Sequence, residues 1–335
     1  TRRMAKWYLG EGEQSDVVIS TRIRLARNLK QYPFPARLDT KSRLAVNEVI
    51  RKAIPAAAKL QYIEMKTLTQ AQIVSLAEKH IISPEFASSA DGRALLLSED
   101  EEISIMLNEE DHIRLQVMLP GLALENAYDT ADKLDTAINE QVEFAFDERL
   151  GYLTQCPTNI GTGLRASVML HLPALTAANR IGALGSTISK LGLTIRGAYG
   201  ESSAPMGDLY QVSNQVTLGI SEKAAITNLK TIVLQIAAQE RAVREEMLKT
   251  PEAQDSVFRA YGILKSARIL NTKEFMELIS RVRLGAVGGL LPIDAKVANE
   301  LMIAMQPANL NARAGKNLDA RERDAQRAKL VRESL

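Results

Sequence analysis

Ile103-Ser104-Ile105-Met106-Leu107-Asn108-Glu109-Glu110-Asp111-His112-Ile113-Arg114-Leu115-Gln116-Val117-Met118 reads as two apolar, alternating segments joined by a short acidic run. A period of two sends successive side chains to opposite faces, so each segment is a strand with one face to bury. Residues 168–172 repeat the pattern, and the short polar connections make neighbouring strands antiparallel. Helical stretches lie between them. Residues 122–150 form the longest, with Leu124, Ala127, Ala131, Leu134, Ile138, Val142 and Ala145 at three- and four-residue spacings, and residues 174–191 form another. The predicted fold is α+β, an antiparallel sheet flanked by helices on one side.

Beyond Ser221 the character changes. Residues 222–248 have a helical period, Pro251 interrupts it, and the sequence to Leu335 contains almost no β-branched alternation. The expected organisation is an α+β unit over residues 1–222, a connecting helix over 223–250 and a small all-helical domain over 251–335. The 335 residues suffice for an ample core, and 46% hydrophobic with 24% charged residues sit at globular averages. A formal charge of +2, from 42 Lys plus Arg against 40 Asp plus Glu, provides no global field toward nucleic acid or an anionic membrane. Aromatic content of 4% argues against the stacking platforms of single-strand binders. The single cysteine, Cys156, excludes an internal disulfide framework and a cysteine-based zinc site, and fits a reducing cytoplasm. No apolar run approaches the roughly 20 residues that span a bilayer, so a soluble, untargeted chain is expected.

Four windows concentrate chemically capable residues. In Ser20-Thr21-Arg22-Ile23-Arg24-Leu25-Ala26-Arg27, an extended backbone points Arg22 and Arg24 at one place as an oxyanion clamp; an exposed basic strand face would look the same. In Asn108 to Arg114, three successive acids repel one another, and cations or a cationic substrate would offset them. Cys156-Pro157-Thr158-Asn159-Ile160-Gly161-Thr162-Gly163-Leu164-Arg165 is a glycine-rich loop around the only thiol, without the Gly-Lys-Ser/Thr of a Walker A loop or the third glycine of a dinucleotide fingerprint. Arg196-Gly197-Ala198-Tyr199-Gly200-Glu201-Ser202-Ser203 is a loop carrying Arg and Glu together. Read together, Arg22, Arg24, Arg114, Arg165 and Arg196 suggest a polyphosphate site, while Glu110, Glu201 and Cys156 call for a cationic acceptor.

Those four strings, in this order, resemble the signatures of the guanidino-phosphotransferases, the creatine and arginine kinase superfamily. The Ser-x-Arg-x-Arg string at Ser20 with a helical domain after the catalytic one, together with Arg323-Asp324-x-x-Arg327-Ala328 near the end, resembles the bacterial protein-arginine kinases of that superfamily. The resemblance implies a phosphagen-kinase catalytic domain with an eight-stranded antiparallel sheet. It implies ATP contacts at Ser20, Thr21, Arg22, Ile23, Arg24, His80, Arg114, Arg165, Ala166, Ser167, Arg196, Gly197, Ala198, Tyr199 and Gly200. Glu110, Cys156 and Glu201 would be catalytic, and Arg323, Asp324, Arg327 and Ala328 would bind phosphoarginine as an allosteric effector. The cofactors implied are ATP and Mg²⁺, with no protein-built metal site. Departures from the pattern are Met106 for tryptophan, Met169 for the histidine of vertebrate creatine kinases, and Ser202 and Ala204 for glycine and an acid.

An arginine acceptor is a poor nucleophile because its guanidinium stays protonated and delocalised. Paired carboxylates can hold the fork in line with the γ-phosphorus, and Glu110 is the candidate base. A thiolate at Cys156 would favour and polarise the cation. The leading expectation is an ATP-dependent protein-arginine kinase; the alternatives are a phosphagen kinase acting on free arginine or another small guanidine, and an inactive adaptor. The resemblance further implies unfolded proteins and a heat-shock repressor as substrates, delivery to a Clp-type protease in stress response and quality control, a zinc-binding activator protein and a homodimer, with no direct nucleic-acid partner.

Overall fold

The computed structural model describes residues 6–198 and 205–335. Its strands are β1 (Val18–Arg27), β2 (Gln61–Glu64), β3 (Ala94–Leu97), β4 (Ile103–Leu107), β5 (Ile113–Pro120), β6 (Phe146–Asp147), β7 (Gly151–Tyr152), β8 (Leu164–His171), β9 (Leu193–Gly197) and β10 (Leu209–Asn214). The helices of the first half are α1 (Thr40–Ala53), α2 (Gln70–Glu78), α3 (Pro84–Ala87), α4 (Leu124–Asn139), α5 (Pro173–Ala177) and α6 (Ile181–Ser189). Those of the second half are α7 (Glu222–Met247), α8 (Pro251–Ser266), α9 (Thr272–Val287), α10 (Ala295–Ala304), α11 (Pro307–Ala314) and α12 (Ala320–Ser334).

Among the described residues one sheet of eight strands runs β2-β3-β4-β5-β1-β8-β10-β9, antiparallel in every pairing the register defines, and β6-β7 is a separate hairpin. The α+β expectation holds. Alternation along β1 decides the two faces: Ile23 and Leu25 enter the main core with Ala127, Ala131 and Ile138 of α4 and Leu229, Val233 and Ile236 of α7. Arg22 and Arg24 therefore face away from these helices.

Two helical expectations change. The 122–150 helix ends at Asn139, whose side-chain oxygen accepts from Phe144 N at 3.2 Å, and the chain turns into the β6–β7 hairpin. The stretch 174–191 is two helices, because Asn179 adopts φ 55° between α5 and α6 and a left-handed residue breaks the hydrogen-bond ladder. Helix α7 packs on β8 and β10, so it is a layer of the sheet as well as a link to α8.

The second core belongs to the helical region and reaches under one end of the sheet. Phe275, Met276, Ile279 and Val282 of α9 cluster with Ile19, Met118, Met169 and Leu209 from the strands. A buried polar chain crosses the same seam: Arg283 donates to His171 Nδ1 at 2.9 Å, His171 Nε2 meets Ser280 Oγ at 2.8 Å, and Ser280 donates to Asp208 at 2.5 Å. A second seam joins α11 to α2, where the Glu78 carboxylate accepts from Ala308 N and Asn309 N, both at 2.8 Å. It caps a helix start whose amides have no intrahelical partner.

Candidate active site

Register lays the arginines side by side on the face that α4 and α7 leave open. Arg24 lies opposite Arg165 of β8 and Gln116 of β5, and Arg22 opposite Ser167 and Met118. Arg114 lies opposite Ala26, and Arg196 opposite Gln211. Arg22 donates to Gln211 Oε1 at 2.6 Å and to Ser167 Oγ at 3.5 Å, which fixes its fork without neutralising it. Burial and the neighbouring Arg114 and Arg165 push the Arg22 guanidinium down to about 10. Arg24 is pushed well below its ordinary value by burial and by Arg22, Arg114 and Arg165. Arginine keeps its proton in proteins, so these shifts register burial first and then crowding of like charge, both of which a bound anion would offset. Arg24 Nε is buried with no hydrogen-bond partner.

One end of this face is apolar. Ser20, Arg22, His80, Met118, Ser167, Met169 and Gln211 line a narrow pocket of about 10 Å³. The residues in the places of tryptophan and histidine diverge here: Met169 lines the pocket, whereas Met106 lies in a separate small core with Ile81 and Phe86. His80, at φ 58°, has its pKa pushed down to about 3 by burial and by Arg22, so its ring is neutral.

The other end is acidic. Glu109 accepts from Arg114 Nη1 at 2.7 Å and from Ser83 at 2.8 Å, and its Oε2 is buried without a partner. Glu110 lies 3.7 Å from Arg114 Nη2 and keeps 36% of its side chain exposed. Partial burial, then Asp111, raise its pKa, despite the opposing pull of Arg114. Asp111 Oδ1 accepts from Asn28 Nδ2 at 2.6 Å and from Gln155 N at 2.8 Å. That bond ties the turn carrying Glu110 to the loop carrying Cys156. Cys156 Sγ sits 3.0 Å from Thr158 Oγ1. Gly161, at φ 111°, is required in that loop: a Cβ there would lie 2.1 Å from the Thr217 carbonyl oxygen. His112 holds the turn from behind, accepting from Leu29 N at 3.1 Å and pairing with the Pro33 carbonyl at 2.9 Å.

The expected residues thus divide. Ser20, Arg22, Arg24, His80, Arg114, Arg165 and Ser167 come together on one face, with Arg196 at its edge followed by Gly197 and Ala198, and Glu110 and Cys156 at one end. Thr21, Ile23 and Ala166 point the other way: Thr21 Oγ1 donates to Gly121 O at 2.7 Å, and Ile23 and Ala166 are core. Their side chains cannot reach a ligand among the arginines. Tyr199, Gly200 and Glu201 lie outside the described residues. Sequence reasoning missed Gln211, although polar residues at every second position of β10 (Gln211, Ser213) carried its signal.

The distal motif behaves differently. Arg327 is fully buried in α12, donating to Met305 O at 2.9 Å, Leu270 O and Asp324 at 2.6 and 2.7 Å, and Thr272 at 3.0 Å. Ala328 is also fully buried, whereas Arg323 and Asp324 retain surface. The side chains at the two expected ligand positions Arg327 and Ala328 are therefore buried, with all but one of the Arg327 N–H donors engaged within the protein. Among the described residues no group of three or more His, Cys, Asp or Glu could cage a metal, and no helix is long and apolar enough to cross a membrane.

The family described as ATP:guanido phosphotransferase, C-terminal catalytic domain, matches residues 42–243, and that described as protein-arginine kinase McsB C-terminal domain matches residues 250–335. The chain is 46% identical to a protein-arginine kinase of Halothermothrix orenii, over 100% of this chain and 97% of that protein. It is 47% identical to one of Caldanaerobacter subterraneus subsp. tengcongensis, over 96% and 97%. A crystal structure of a lombricine kinase superposes with a TM-score of 0.61 at 28% identity, covering 70% of this chain and 68% of that one.

Proposed function

We propose, from the premise that the chain belongs to the ATP:guanido phosphotransferase family and to its protein-arginine kinases, that it moves the γ-phosphoryl group of ATP onto arginine side chains of proteins. The observation that carries this reading is the order of chemistry along the open face. A narrow pocket with Met118 and Met169 lies at one end of it, Arg22 and Arg24 crowded by Arg114 and Arg165 in the middle, and the turn of Glu110 tied to the loop of Cys156 at the other. The base would lie against the face at this end, near Met118, Met169 and neutral His80, and the phosphates would lie across Arg22, Arg24, Arg114 and Arg165.

Phosphoryl transfer asks for positioning and charge neutralisation more than covalent help. Arg22, held by Gln211, and Arg24 would meet charge as it spreads over the transferring group. Glu110 would receive the acceptor guanidinium and take its proton, and the raised pKa of its carboxyl brings it closer to a useful base. Cys156 would hold the other guanidinium nitrogen. The residues fit Mg²⁺ carried in on the nucleotide: a carboxylate oxygen of Glu109 is buried without a partner, and Mg²⁺ sites of this kind take most of their ligands from phosphate and water. When bound, the ion supplies neutralisation of the phosphate oxygens.

Delivery of marked proteins to a Clp-type protease, a stress-response role with a heat-shock repressor among the substrates, a zinc-binding activator, a cytoplasmic location and a homodimer belong to the same reading, through the likeness to named protein-arginine kinases. At the distal motif, Arg323 and Asp324 would meet phosphoarginine while Arg327 shapes their helix; titration of phosphoarginine against Arg323→Ala checks this, and unchanged affinity contradicts it. The main test compares free arginine with an arginine-containing polypeptide under Mg-ATP. Preferential transfer to the polypeptide is expected. Turnover of the free guanidine alone would instead identify a phosphagen kinase.

A further inference from the structure

Large apolar side chains left open to water mark a surface that something else covers. Four of them bracket the loop that carries Cys156. Phe146 and Leu150 are 56% and 44% exposed on the β6–β7 hairpin, and Val216 and Leu218 are 46% and 51% exposed just after β10. Both segments are fastened to that loop. Tyr152 N donates to Gly161 O at 2.8 Å, while Thr217 Oγ1 donates to Thr158 O at 2.9 Å and Ile160 O at 2.7 Å. Thr217 is turned inward by these bonds, while Val216 and Leu218 on either side of it are the exposed residues.

The hairpin is held in shape. Asp147 Oδ1 accepts from Arg149 N at 2.8 Å and Leu150 N at 2.9 Å, and the Phe146 ring stands edge-on to Tyr152 at 5.2 Å. Rigid apolar side chains fixed on either side of a reacting group lose little entropy when they bind, which favours capture of whatever lies next to that group. The neighbours of an acceptor arginine seated at Glu110 and Cys156 are the residues before and after it in the substrate chain.

We propose that Phe146, Leu150, Val216 and Leu218 form an apolar rim that engages residues flanking the acceptor arginine, so that arginines in apolar extended segments are phosphorylated in preference to arginines in polar ones. The rim rests on the protein-arginine reading and adds a rule for choosing among arginines. Its occupant is an extended polypeptide, argued from the rim's continuity with the acceptor loop.

The test uses the full chain, Mg-ATP and two synthetic peptides, each with one arginine, flanked by leucine and phenylalanine in one and by serine and asparagine in the other. The kcat/KM ratio should favour the apolar peptide about tenfold, the scale of covering part of one or two apolar side chains. In the Phe146→Ser, Leu218→Ser double variant the ratio should fall to about one while nucleotide affinity is retained. Equal turnover of both peptides by the native chain, or an unchanged ratio in the double variant, overturns the rim alone. A change of oligomeric mass in the double variant with the ratio unchanged also overturns it, assigning the patch to a second copy. Turnover of free arginine with neither peptide overturns the protein-arginine reading and the rim with it.

Discussion

Arg24 and Arg27 sit three residues apart on β1 and live under opposite electrostatics. Arg27 points to the helix-covered face, where its guanidinium donates to Asp135 at 2.9 and 3.1 Å and to the carbonyls of Ala26 and Thr162, with the Tyr152 ring 3.5 Å away. Arg24 points to the open face, where Arg22, Arg114 and Arg165 surround it and Nε lacks a partner. Arg283 and Arg327, buried elsewhere, follow Arg27: each is held by carbonyls and polar side chains. Structural arginines here arrive with their acceptors. Arg24 arrives with like charges around it and an unpaired Nε, the environment expected of a group that meets an anionic ligand.

Four perturbations probe the contrast. The largest effect on stability is expected for Arg27→Met, which leaves Asp135 buried and unpaired; about 3–5 kcal/mol should be lost in denaturant unfolding. An unchanged midpoint would remove Arg27 from the structural class. Arg24→Ala should instead lower kcat/KM by about 10²–10³, the scale of one lost preorganised donor, while the melting temperature holds or rises as repulsion is relieved. A drop of several degrees with full activity would merge the two classes.

Acid should separate them as well. His112 is fully buried, and burial pushes its pKa from the ordinary 6.5 down to about 4. The unfolded chain therefore binds the extra proton first, so the contribution is present above pH 6.5 and is lost as pH falls toward 4, on the order of 3 kcal/mol. Denaturation midpoints measured across that window should fall with pH, and less steeply in His112→Gln. The smallest change belongs to Arg259→Ala. Its pairing with Asp255 at 2.6 Å is on the surface, with the two side chains 75% and 62% exposed, and should be worth under about 0.5 kcal/mol. A larger loss in a thermal melt would show that exposure does not rank these pairs.

The alternation of Ile103 to Met106 and Arg22 to Arg24 made the sheet and the arginine face readable, because a period of two is a local property of the backbone. The tie between the turn carrying Glu110 and the loop carrying Cys156 was not readable that way. It depends on Asp111 meeting Gln155 N, a bond between residues 44 apart in the chain. The same holds for Gln211, whose role appears only when β10 is placed two strands from β1. Arg327 shows the opposite limit: it is a charged residue in a polar-looking helix, and its burial against α9 and the turn at Met305 comes from packing that the helix's own composition conceals. The helix end at Asn139 and the break at Asn179 were hidden for a related reason, since one side-chain cap or one left-handed residue overrides a continuing apolar period.

In the proposed reaction Glu110 removes the proton from an acceptor arginine held at the end of the arginine face. The direct test is mass spectrometry of a protein substrate incubated with Mg-ATP and either the native chain or Glu110→Ala, at neutral pH to preserve the acid-labile phosphorus–nitrogen bond, with nucleotide binding measured in parallel. Phosphoarginine is expected from the native chain and none from the variant at equal nucleotide affinity; undiminished phosphoarginine from Glu110→Ala would contradict that role.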